Sequence, residues 1–456
     1  MPLVFPLLVL ALATLGLVRL WEPFLSWYYQ WAWWSYVFAA DALNKRLSGR
    51  SLLRDTPRQF AFLALASIVY WTFFEALNLR LGNWYYVMDH PARAARWLGG
   101  AVAFATVLPG ILETEALIAN LGLLRRVSVP RLRIGVSGER VFVGIGLAGA
   151  ALPMLWPERF FWMVWAIAFF LLEPWNRRQA KWSVLRDLEA GDAAGTVRAL
   201  LAGLGCGFLW ETWNYWARTK WIYTVPGFEE LKLFEMPLLG FLGFPPFALG
   251  SLVFASALLE LRRRASRLPP GRLRALRLTG WGAAALSTLV VFDAADRISV
   301  DSTYVPVAEL RTLPEDDRRA LAGAGLASTE RLLRALDDEN GLRQYAETTH
   351  LSRERLLAAR EHVALVMHHG LGESRALELA RLGVTTRADL SQFTPESLAS
   401  LMAAGSRGPA RFLGRRVRVW LHGSGLEGSA RTGSLHPRLS MRSCDPMLRL
   451  GQPVRG

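Results

Sequence analysis

Cysteine is nearly missing from this chain: there are two in 456 residues, Cys206 inside an apolar run and Cys444 near the end. Thiols so few and so differently placed supply neither a disulfide framework nor a Cys-based zinc site, and no metal or cofactor motif stands in their place. Charge is thin as well, with 20% Asp, Glu, Lys and Arg against 52% hydrophobic residues and a mean hydropathy of +0.21. That balance argues against a wholly soluble protein. Tryptophan is absent from almost all of the C-terminal part, since of 19 only Trp420 follows residue 300. The first 300 residues read as membrane-like and the remainder as soluble.

What is present is a series of apolar stretches, each long enough to approach the roughly 30 Å of a bilayer core. They fall at 2–20, 25–43, 59–79, 97–123, 141–156, 160–175, 196–217, 234–261 and 275–292, which predicts an all-α bundle of about nine transmembrane helices. The first lacks a basic leader and a small-residue cleavage site, so it is read as a helix rather than a signal peptide. The formal charge of +15 is not spread over a soluble face, because residues 301–420 carry 17 Arg against 16 Asp plus Glu. It collects in alternate loops, around Lys45 to Arg58, Arg125 to Arg140, Arg177 to Arg186 and Arg262 to Arg277. By the positive-inside rule those loops are cytoplasmic, which with nine helices places the N-terminus inside and the C-terminal domain outside a bacterial inner membrane.

An internal repeat organises the apolar part. Asp41, Asn44, Arg46, Ser51, Leu53, Arg54 and Asp55 recur at the same offsets as Glu173, Asn176, Arg178, Ser183, Leu185, Arg186 and Asp187. Glu75-x-x-Asn78 with Trp84-x-Tyr86 recurs as Glu211-x-x-Asn214 with Trp221-x-Tyr223, and Pro109 falls opposite Pro245. The expected organisation is a four-helix unit at 1–124, a basic loop at 125–137, a second unit at 138–262 in parallel orientation, and a ninth helix at 275–292.

Carboxylates inside apolar helices are expensive and mark functional sites. Glu75, Glu211, Glu113 and Glu235 are therefore the candidate proton donors or anchors, and Asn78, Asn214, Trp84, Tyr86, Trp221 and Tyr223 the candidate substrate-binding residues. Asp41 and Glu173 read instead as loop anchors, bonding Arg46, Arg54, Arg178 or Arg186. Glu235 sits in a Gly- and Pro-rich run through Pro246 that interrupts helical hydrogen bonding and suits the wall of a cavity.

The pattern Glu75, Trp84-x-Tyr86, Pro109, Glu113, with Glu211, Trp221-x-Tyr223 and Pro245, resembles the duplicated membrane lycopene cyclase domain of carotenoid synthesis. The resemblance implies protonation of a polyene end group by a buried acid without a metal. The family's adjacent glutamate pair after the proline is not here, and the second copy has no acid after Pro245.

Residues 308–402 alternate short helices with Gly and Pro breaks, and Leu321 to Leu332 parallels Leu379 to Leu390. This segment resembles tandem helix-hairpin-helix domains, including those of uncharacterised bacterial proteins. The resemblance implies a hairpin, His369-Gly370-Leu-Gly372-Glu373, whose amides at Gly370 and Gly372 hold a phosphate, although Glu373 and the near-neutral surface oppose that. A protein partner is favoured over nucleic acid for this module. Residues 403–422, with Arg407, Arg411, Arg415, Arg416, Arg418 and Trp420, form a basic amphipathic segment suited to lipid headgroups or nucleic acid, and 423–456 reads as a disordered tail. Two functions stay open: an intramembrane site acting on a lipid or isoprenoid by proton transfer, or a non-catalytic transporter or scaffold.

Overall fold

The structure, a computed structural model, describes residues 3–226, 231–405 and 413–429. Arg407, Arg411 and the tail from residue 430 lie outside the described residues. The chain is almost entirely helical, with a bundle through residue 298 followed by a smaller helical domain. Its strands are short, the longest being β1, Trp84–Val87, and β2, Lys220–Tyr223.

Five helical segments are long and apolar enough to cross a membrane: Pro57–Leu81, Arg93–Asn120, Val136–Leu155, Leu238–Ala265 and Pro270–Ile298. The other four expected spans are helical but fall short of that measure, and Val4–Val18 has only 15 residues. Large side chains such as Leu8, Leu147, Leu286 and Val290 stand exposed on the outer flanks of the bundle, as they would where hydrocarbon replaces water. Two apolar runs are broken where the sequence suggested one helix each. Arg93–Phe104 gives way to Val107–Asn120, and the Glu235 run begins as a tight strand pair, Lys232–Leu233 with Met236–Pro237, before a 3-10 turn and the helix Phe244–Ala265.

Local chemistry sets the helix ends. Gly49 and Gly82 take left-handed conformations, φ +74° and +61°, and return their amides to Lys45 and Asn78 as C-caps. Ser51 and Ser183 cap the short helices that follow the two basic turns. The bundle has two distinct ends. At one, the basic turns meet, with Arg262 donating to the carbonyl of Arg58, Ala193 to that of Val127, and Arg198 paired with Glu115 at 2.8 Å. At the other, β1 pairs antiparallel with β2, so that Trp84 faces Tyr223 and Tyr86 faces Trp221.

The C-terminal domain sits on this second end. Its core of Leu310, Leu321, Leu332, Leu356, Val363 and Leu379 is closed by Trp420. Trp420 belongs to the helix Leu413–Ser429, which continues past the point where a structureless tail was expected. This helix is not a free basic surface. Arg415 donates to the carbonyl of Leu81 at 2.6 Å and pairs with Glu158, while Arg416 pairs with Asp301 and donates to the carbonyl of Ile298 at 2.6 Å.

Candidate functional site

A two-stranded ribbon turns alternate side chains to opposite faces. Trp84 and Tyr86 point into the bundle, while Tyr85, Val87 and Ile222 form a small apolar cluster with Val419 of the C-terminal domain. The inward residues end on buried carboxyls. Glu75 Oε1 accepts from Tyr86 Oη at 2.5 Å, Trp71 Nε1 at 2.9 Å and Trp84 Nε1 at 3.2 Å. Glu75 Oε2 is buried and has no hydrogen-bond partner among the described residues. Glu211 repeats a simpler version, with Oε1 accepting from Tyr223 Oη at 2.8 Å and Oε2 left without a partner.

The two asparagines do different work from the one expected. Asn78 donates to the carbonyl of Trp84 at 2.9 Å and accepts the Asn83 amide at 2.8 Å, while Asn214 donates to the carbonyl of Trp221 at 2.9 Å and accepts its amide at 3.0 Å. Each amide side chain is therefore spent on tying a helix end to its strand. They position the ribbon.

Glu75 lines a cavity of about 110 Å³ beneath the ribbon. Tyr29, Trp71, Tyr86, Trp210 and Trp221 supply aromatic walls, and Asp89, Arg96, Lys220 and Asp296 the remaining charge. Burial pushes the Asp89 carboxyl up to about 6, against the opposing pull of the His90 amide and of Arg96. Among the described residues no group of three or more His, Cys, Asp or Glu is placed to hold a metal ion.

The four candidate acids do not form one constellation. Glu235 joins the ribbon end by pairing with Lys220 at 2.6 Å. Glu113 lies instead near the basic end, where Asn44 donates to its Oε2 at 2.7 Å. Glu113 does not line the cavity beside Glu75, although Val107 at the start of its helix does. Asp41 and Glu173 do anchor the basic turns, through serine hydroxyls and backbone amides. Asp41 accepts from Ser51 Oγ at 2.7 Å and the Leu53 amide at 3.0 Å, and Glu173 from Ser183 Oγ at 2.5 Å and the Leu185 amide at 2.9 Å. Arg177 and Arg178 turn to Glu139.

The glycine hairpin of the C-terminal domain is also occupied. Gly370 and Gly372 take φ +67° and +78°, and a Cβ on either would lie 2.0 Å from Val87 or 2.7 Å from Ser302. Tyr85 Oη donates to the carbonyl of His369 at 2.9 Å. This segment thus packs on β1 and on Ser302. Residues 312–410 match a family described as a domain of unknown function, DUF4332. No curated protein matches, and no solved structure does. The DUF4332 domain accounts for the helical C-terminal segment, and the lycopene cyclase resemblance of the bundle gains no support from these comparisons.

Sequence reasoning missed Trp71, Tyr29, Asp89 and Lys220 as parts of the site. Trp71 was within reach, because it lies one helical turn before Glu75 on the same face. Asp89 and Lys220 reach the cavity only through the pairing of β1 with β2, which no local spacing announces.

Proposed function

We propose that this chain is a polytopic membrane protein whose ribbon-end cavity takes up a lipid or isoprenoid, with Glu75 giving a proton to it or taking one from it. The observation that carries the reading is the Glu75 carboxyl, held on Oε1 by three aromatic donors while Oε2 is buried at a cavity wall with no partner. A buried polar atom left so calls for an explanation, and a ligand in the adjoining cavity supplies one. Glu211 and the Glu235–Lys220 pair would serve as further proton-holding groups beside it. The polyene-protonating chemistry implied by the lycopene cyclase resemblance is one form of this reading.

The matching bonds of Asp41 with Glu173 and of Asn78 with Asn214 support a parallel duplication of one unit. On the positive-inside rule the basic end is cytoplasmic and the DUF4332 domain lies on the outer side. The glycine segment of that domain and Arg416 of the helix that follows it are engaged with their own chain, which favours a protein partner over nucleic acid for the remaining surface. The competing reading, a transporter or scaffold, draws on the number of buried polar groups whose bonds only hold helices together, Asn78, Asn214, Asp41 and Glu173 among them.

Lipids extracted from the full chain purified in mild detergent, compared between wild type and Glu75→Gln by mass spectrometry, test the choice. A specific lipid or isoprenoid enriched with wild type and depleted in the variant is expected. Bulk phospholipid alone in both samples would favour the scaffold.

A further inference from the structure

Five charged side chains face the cavity, and three of them neutralise one another or nearby groups. Arg96 spends its donors on Asp296 at 2.8 Å and on the carbonyls of His90 and Pro91 at 2.9 and 2.8 Å. Asp296 also accepts from Arg93 at 3.2 Å and Trp97 at 3.1 Å. Lys220 is bound by Glu235 at 2.6 Å and by the carbonyl of Tyr215 at 3.3 Å. What remains is Glu75 and Asp89, neither within ion-pair distance of a cation among the described residues. Arg96 is near enough to act on Asp89, yet its hydrogen bonds are committed elsewhere.

Aromatic rings supply much of the cavity wall, beside smaller apolar residues such as Ala103, Val107 and Val300. Trp71 lies 5.4 Å from Trp210 and 6.1 Å from Phe104, and Tyr29 lies 5.1 Å from Trp221, as centroid separations. Aromatic faces carry negative potential and attract cations, most strongly where water is excluded. A neutral hydrocarbon would fit the rings but leave Glu75 Oε2 without a partner, and an anion would meet two carboxyls. A cation with N–H donors meets both the partnerless Glu75 Oε2 and the surplus of negative charge beside the rings.

We propose that the cavity binds the ammonium group of an amphiphile, with Glu75 and Asp89 as its anionic partners and Trp71, Tyr86, Trp210 and Trp221 as its aromatic surround. This inference rests on the reading of the cavity as a ligand site, and it narrows the ligand to an organic cation with an apolar tail. Phe104 and Phe292, the latter on the Pro270–Ile298 helix, supply apolar lining for the tail.

The test uses the full chain in detergent and two probes of the same length, hexylammonium and hexanol, followed by quenching of tryptophan fluorescence. Saturable binding of hexylammonium at least about tenfold tighter than hexanol is expected, since a desolvated cation on aromatic faces gains that much. Glu75→Gln and Asp89→Asn should each bring the two probes closer to equal affinity. Asp89 lies outside the helices, so its variant keeps the test informative if Glu75→Gln fails to fold. Equal affinities for the two probes in wild type would overturn the cation assignment and leave the ligand-site reading standing. Saturation by neither probe would overturn both.

Discussion

At the scale of single residues, the two buried acids and the two asparagines separate by what their atoms have left over. Asn78 and Asn214 have both ends of the amide engaged with backbone, so truncation removes support from the ribbon rather than from a ligand. Asn78→Ala should destabilise the fold by about 1–3 kcal/mol, the cost of stranding buried backbone groups. A lowered thermal midpoint in detergent, with faster amide exchange at residues 83–84, checks this. An unchanged midpoint with lost ligand binding would restore the asparagines to the substrate. His368 offers a pH test in the soluble part. Burial lowers it to about 4 and the charge of Arg387 adds to the effect, against the opposing pull of the Trp420 carbonyl oxygen 2.7 Å from its ring. The unfolded imidazole takes a proton near 6.5, so stability is full above that pH and falls as the pH drops toward 4. The loss between pH 7 and 5 should be about 2 kcal/mol in urea unfolding of the DUF4332 domain within the full chain. His368→Gln should flatten the dependence.

At the scale of elements, the ribbon decides what reaches the site. A shift of one residue in its register would turn Tyr85 and Val87 toward Glu75 and send Trp84 and Tyr86 to the C-terminal domain. Four residues per strand are too few for an alternation to announce itself in sequence, and Trp84-x-Tyr86 reads equally as an interfacial aromatic belt. That is why the acids were legible and their donors were not. Glu75 and Glu211 stand out as charges in apolar runs, whereas the meeting of the two Trp-x-Tyr motifs depends on pairing across more than 130 residues of chain. Glu113 sits on a helix that begins after a break at Ala105 and Thr106, and it bonds Asn44 rather than a residue of the ribbon. The Gly370-x-Gly372 segment was legible as a break between helices but not as a contact with β1. Gly370→Val should loosen the domain from β1 by about 1–3 kcal/mol through the clash with Val87. Hydrogen exchange across residues 84–87 should rise, while Gly323→Ala, where a Cβ meets nothing within 4 Å, should leave it unchanged.

At the scale of the whole molecule, the split between an apolar bundle and a near-neutral helical domain was carried by composition, because tryptophan and charge mark the solvent each part meets. How the parts join was not, since Arg415 and Arg416 looked like a lipid-facing segment until their carbonyl and carboxylate partners were seen. The arrangement puts the basic turns and the DUF4332 domain at opposite ends, which makes sidedness testable. In a Cys444→Ser background, a membrane-impermeant thiol reagent applied to intact cells should label Arg319→Cys, whose side chain is 70% exposed. Protection of that thiol until the cells are lysed would invert the topology.

The claim that holds the account together is that the space beside Glu75 belongs to a ligand. A density map of the full chain in a lipid nanodisc, at a resolution that shows side chains, addresses it directly. We expect non-protein density within hydrogen-bond distance of Glu75 Oε2 and bounded by Trp71, Trp210 and Trp221. A closed space, with these rings collapsed on the carboxyl and Oε2 bonded within the protein, would contradict it.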